Sequence, residues 1–87
     1  MLFYHGTTKE NYQKILKEGI LWGVRNCYSR CTYLTKDLLE AKTYGEIILE
    51  VEYDPAINEK YNNYCQDCWQ FRVYEPISIE NIRILNK

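Results

Sequence analysis

His5 is the single histidine of the chain and lies in the run Tyr4-His5-Gly6-Thr7. A histidine and a glycine at the end of a strand bring useful groups to one turn. The imidazole can donate to or accept from a ribose hydroxyl, and the bare glycine lets a flat ligand approach the backbone. A lone strand-end histidine is more often structural than functional, so its meaning depends on what stands near it. Nine tyrosines and two tryptophans offer rings that could stack on a heterocycle, and equally rings that fill a small core. Cys27-x-x-x-Cys31 and Cys65-x-x-Cys68 are close thiol pairs whose spacing suits half of a tetrahedral zinc site each, with reduced structural thiols as the other reading. Disulfides rank last, because nothing indicates export. Glu50 and Glu52 are carboxylates at strand spacing and read as the solvated edge of a sheet.

These groups must be positioned by one small fold. With 87 residues the expectation is a single domain over 1–87, large enough for one pocket and with a modest core that a metal, disulfide or partner would help. A 46% hydrophobic, 26% charged composition without a low-complexity tract is that of a folded chain. The net charge of −1 comes from interspersed acids and bases, which leaves no basic field to grip a nucleic-acid backbone. Nucleic acid is therefore a possible substrate rather than the default partner. No apolar run is long enough to span a bilayer, and the first residues lack the pattern of a secretory leader. The expectation is a cytoplasmic protein with no membrane partner and no assignable oligomeric state.

Leu2 to His5 reads as an opening strand, followed by a helix whose start is a capping box of Thr7 and Glu10. Tyr12, Ile15, Leu16 and Ile20 share its inner face, and Gly19 stands where a left-handed C-cap belongs. Leu21 to Arg30 has no period and reads as a loop. Cys31 to Thr35 alternates as a strand, and Thr35 is placed to cap a short helix that Gly45 ends. Glu46 to Tyr53 is the strongest strand, with Ile47, Leu49, Val51 and Tyr53 inward. Trp69 to Tyr74 and Asn81 to Leu85 complete a βαβαβββ order, which predicts an α+β fold of about five strands and two short helices.

Taken in order, Tyr4-His5-Gly6-Thr7, the helix ending Ile15-Leu16-Lys17-Glu18-Gly19-Ile20, Tyr33-Leu34-Thr35-Lys36-Asp37, Ala41 and Tyr44-Gly45 resemble the diphtheria-toxin and poly(ADP-ribose)-polymerase branch of the ADP-ribosyltransferases. The likeness resumes at Phe71-Arg72-Val73-Tyr74-Glu75-Pro76 and runs through Ile82-Arg83-Ile84-Leu85. The resemblance implies a compact split β-sheet and an NAD pocket. In it the histidine, here His5, binds ribose, and Gly6 pairs its backbone with the nicotinamide carboxamide beside Thr7. Tyr33 and Tyr44 sandwich the ring. It further implies transfer of ADP-ribose from NAD to a protein or nucleic-acid acceptor.

The sequence departs from the family where a catalytic glutamate should open the strand, because Gln70 stands there. Glutamine can hydrogen-bond ribose but supplies no negative charge and no general base. One expectation is a mono-ADP-ribosyltransferase in which His5, Tyr33 and Gln70 line the reaction centre and a carboxylate comes from the substrate or from Asp67. A second is an inactive module that binds nucleotide or ADP-ribose, and a third is a small interaction or inhibitor protein that keeps the scaffold. The tRNA 2′-phosphotransferases share the His-Gly-Thr turn and use basic residues instead of the glutamate; Arg25 and Arg30 fall in the corresponding loop. In the proposed fold the pairs Cys27/Cys31 and Cys65/Cys68 both lead into strands, which would let one zinc ion join all four beside the pocket.

Overall fold

The computed structural model describes residues 1–23 and 30–85. Among the described residues, seven strands and two α-helices follow in the order β1 (Leu2–Thr7), α1 (Lys9–Glu18), β2 (Ile20–Leu21), β3 (Thr32–Thr35), α2 (Leu38–Lys42), β4 (Ile47–Glu52), β5 (Gln70–Val73), β6 (Ile77–Ser78) and β7 (Ile82–Ile84). The fold is α+β. Five strands form an antiparallel sheet in the order β5-β3-β1-β4-β7, and β2 pairs with β6 in a separate two-stranded sheet.

Alternation along the strands sorts their side chains onto two faces. Phe3, Leu49 and Val51 share one face with Leu34, Phe71 and Val73, and Ile15, Leu21 and Ile77 close the core over them. The Phe3 and Phe71 rings meet edge to face with centroids 4.8 Å apart, and Tyr64 meets Phe71 at 5.1 Å. Gly6 is one step out of phase with Phe3 and His5, so it turns its bare Cα to the opposite face, against α2. A Cβ there would lie 1.7 Å from the Ala41 carbonyl oxygen. The absence of a side chain is what lets α2 rest on β1.

Several local expectations are corrected. Strand β1 continues through Thr7, where it pairs with Ile47, so the cap of α1 is Thr8, whose Oγ1 accepts from Asn11 N at 3.1 Å. Gly19 closes that helix in the left-handed region, φ 76°, as its position foretells. Leu16 is exposed and does not join the core. Asp37, not Thr35, caps α2 by accepting from Leu39 N at 2.9 Å. Thr35 instead donates its hydroxyl to the Trp69 carbonyl and accepts from Asp37 N. Ile20, expected on the helical face, and Leu21, expected to open the loop, instead form a short strand that pairs with Ser78 and Ile77. Strand β4 lies between β1 and β7, so Glu50 is not at a sheet edge; it is largely covered and accepts from Arg83 at 3.0 Å. Glu52 is exposed and meets the N-terminal amine at 2.9 Å.

Candidate functional site

The sheet opens between β1 and β3. On its β4 side β1 is paired at all six residues, from Leu2↔Glu52 to Thr7↔Ile47. Toward β3 its registered pairing is Tyr4↔Thr35. Beyond that pair the strands part, and a cleft of about 480 Å³ occupies the gap, within the ~300–1,000 Å³ common for small-molecule sites.

His5 spans the opening. Its Nδ1 lies 2.8 Å from the Tyr33 carbonyl oxygen, a contact that needs the proton on Nδ1 and leaves Nε2 with a free lone pair. Burial lowers the His5 pKa from its ordinary value, and the bond to the Tyr33 carbonyl opposes that only in part. The ring is therefore held neutral, with one tautomer selected by the backbone.

Gly6 contributes its backbone. Its partner in β4, Ile48, directs its carbonyl outward to Leu85 N at 2.8 Å, so antiparallel alternation turns the Gly6 N–H and C=O toward β3. The residue that would meet them if the ladder continued is Tyr33, whose carbonyl is engaged by His5. An amide donor and a carbonyl acceptor thus point side by side into the split.

All six residues expected at the pocket, His5, Gly6, Thr7, Tyr33, Tyr44 and Gln70, line this one cleft. Tyr33 and Tyr44 are about half exposed, which excludes both from a core-filling role. Thr7 is buried and belongs to the wall. Asp67 sits in the turn between Cys65 and Cys68 and is not part of the lining.

Two contributions were not legible in the sequence. The Tyr44 hydroxyl lies 3.4 Å from a carboxylate oxygen of Glu40 and 3.4 Å from the side-chain amide oxygen of Gln70, Oε1. Glu40 is one helical turn before Tyr44, a spacing that puts both on one face. The single hydroxyl hydrogen serves one of these two acceptors at a time, so Tyr44 stands between the Glu40 carboxylate and the Gln70 amide oxygen. A carboxylate is thereby connected to the glutamine position. The second contribution is α1, which adds Asn11, Lys14 and Glu18 to the lining of the cleft. Arg30, also in the lining, stacks 4.5 Å from the centre of the Trp22 ring and donates from Nε to the Gly23 carbonyl at 3.0 Å. The Trp22 Nε1–H is buried without a hydrogen-bond partner among the described residues. Arg25 lies outside the described residues.

Of the three described cysteines, Cys31 is not brought beside Cys65 and Cys68. Cys27 lies outside the described residues. Cys31 is buried just before β3, whose first residue pairs with Val73, whereas Cys68 stands beyond the far end of β5, where Gln70 pairs with Thr35. At ~3.3 Å per residue the register sets them roughly 20 Å apart along the strands. No group of three potential metal ligands occurs among the described residues.

Compared with models of protein families, with curated proteins and with solved structures, the chain gives no match. Whatever function is assigned rests on the residues of the cleft. Among the described residues, no helix is long and apolar enough to cross a membrane.

Proposed function

We propose that the cleft binds NAD and that the protein is a mono-ADP-ribosyltransferase acting on the nicotinamide-ribose bond. The observation that carries this reading is the meeting of His5, Gly6, Tyr33, Tyr44 and Gln70 on one cleft at the split between β1 and β3. A carboxamide is matched by an adjacent donor and acceptor, which the Gly6 backbone offers along the open edge of β1. The Tyr33 and Tyr44 rings give that heterocycle its stacking surfaces. Neutral His5 accepts a ribose hydroxyl at Nε2, and the Lys14 ammonium in the lining suits the diphosphate.

In the transfer the bond between ribose C1′ and the nicotinamide nitrogen breaks, and nicotinamide leaves with the electron pair. Positive charge develops on the ribose, and an acceptor nucleophile adds to C1′ and gives up its proton. Catalysis requires negative charge that grows more favourable as the ribose becomes cationic. Gln70 brings none of its own; Glu40 supplies it at one remove, through Tyr44.

A thermal-shift screen of NAD, ADP-ribose and nicotinamide, followed by incubation with labelled NAD, tests the proposal. Stabilisation by NAD, label transfer, and loss of both in His5→Ala are expected. The Gln70 substitution favours a second reading, capture of a nucleotide without turnover, which predicts the shift without the label. No shift with any of the three ligands would refute both readings and leave a scaffold used for protein interaction.

A further inference from the structure

Cys65 and Cys68 occupy the two ends of a single tight turn, away from the residues that line the cleft. The Cys68 amide donates to the Cys65 carbonyl at 3.1 Å, and the Cys65 amide points at Cys68 Sγ at 3.4 Å. Both thiols are free; Cys65 is exposed and Cys68 half-buried. A four-residue turn closed in this way keeps its end Cα atoms within ~7 Å, and disulfides form at Cα separations of about 4.4–6.8 Å. The sulfur of Cys68 is already folded back over the residue that bears the other sulfur. Next to the turn, Lys36 donates to the Gln66 carbonyl at 3.2 Å and its ammonium lies 4.8 Å from the centre of the Tyr64 ring. The turn is therefore held in shape from outside, with a cation beside it. By contrast Cys31 is buried and closed to reagents.

We infer that Cys65 and Cys68 form a redox-active dithiol that closes to an intramolecular disulfide by exchange with small-molecule disulfides. The exposed Cys65 sulfur attacks one sulfur of the reagent, expelling one thiol and forming a mixed disulfide. Cys68 then attacks Cys65 Sγ, forming the protein disulfide and expelling the second thiol. The protein loses two protons and two electrons, and one reagent disulfide becomes two thiols. Closure restrains the segment entering β5, because the next residue, Trp69, is tied through its carbonyl to Thr35 and to Lys36 N, and Gln70 follows. The inference does not depend on what the cleft binds.

The test is treatment of the folded protein with excess oxidised glutathione, followed by acid quench, trypsin and mass spectrometry. Cleavage after Lys60 and Arg72 places both thiols in one peptide, 61–72, apart from the peptides that carry Cys27 and Cys31. The expected result is that peptide 61–72 becomes lighter by two hydrogens without adduct, and regains them with dithiothreitol. In Cys68→Ser the exchange should stop as a stable glutathione adduct on Cys65. Should Cys68→Ser fail to fold, Cys65→Ser should form far less glutathione adduct on peptide 61–72 than the exposed Cys65 would, because the remaining thiol, Cys68, is half-buried; an adduct formed as readily on Cys68 would count against the assigned order of attack. Peptide 61–72 left unchanged, or carrying a persistent adduct in the wild-type protein, would overturn the inference.

Discussion

Replacing Gly6 by alanine is the sharpest test of how this fold makes room for its cleft. The added methyl would sit 1.7 Å from the Ala41 carbonyl oxygen, 2.8 Å from its carbon and 3.3 Å from Tyr44 Cβ. Ordinary carbon contacts begin near ~3.5 Å, so α2 must back away from β1 by well over an ångström, and its own backbone is the obstacle. No flexible side chain can yield instead. Overpacking of this kind costs about 1–3 kcal/mol, and a backbone obstacle places Gly6→Ala at the upper end. At roughly 0.05–0.15 kcal/mol per residue, a domain this small has a total stability of order 4–13 kcal/mol. A loss of ~3 kcal/mol should lower Tm by roughly 12–24 °C, taking about 4–8 °C per kcal/mol for a domain of this size.

Gly19→Ala is the control, because that site also disfavours a side chain but for a different reason. Its φ is 76° and the space around it is open, so only the left-handed backbone penalty of about 1–2 kcal/mol applies. Urea denaturation followed by tryptophan fluorescence and by circular dichroism measures both variants. A Gly6→Ala protein no less stable than Gly19→Ala would refute the claim that α2 rests directly on β1. It would also remove the reason for Tyr44 to stand over the cleft.

Three further outcomes are expected. Thr35→Val keeps the shape of a buried residue but removes a hydroxyl that donates to the Trp69 carbonyl and accepts from Asp37 N; about 1–3 kcal/mol should be lost in chemical denaturation, since Asp37 N loses this acceptor and the Trp69 carbonyl keeps only the longer contact from Lys36 N at 3.4 Å. Folded His5 binds its proton less readily than the unfolded chain, so stability should fall as pH drops below about 6.5, where the unfolded state takes up the extra proton. His5→Gln should flatten that part of a stability-versus-pH curve. Burial, with the neighbouring Glu75 carboxylate, raises the Tyr53 pKa to about 12 from 10.0, so its contribution holds below pH 10 and is lost as pH climbs from there through about 12. Tyr53→Phe should show a shallower alkaline decline in the same measurement.

Short-range chemistry carried much of this structure into the sequence. Gly19 after an amphipathic run, alternation from Ile47 to Tyr53, and proline after Asp54 and Glu75 each determine a local conformation from nearby atoms alone, and the helices and principal strands stand where those signals lie. Finer choices between neighbours did not show. Thr7 and Thr8 are equally good caps, and only the pairing of Thr7 with Ile47 assigned the role to Thr8. Ile20–Leu21 is too short for a period, and its strand exists because Ile77 and Ser78 lie beside it. Cys31 and Cys68 are separated by strand register, which spacing along the chain does not encode.

The same division holds at the site. His5, Gly6, Tyr33, Tyr44 and Gln70 could be nominated from residue type and order. Tertiary structure decided that β1 leaves β3 after Tyr4, that the Tyr33 carbonyl selects the imidazole tautomer, and that Gly6 turns its amide into the gap. It also set Glu40 behind Tyr44. Local preference acts over a few residues, whereas the opening of a sheet and the company of a carboxylate depend on strands and helices that meet only when the whole chain has closed.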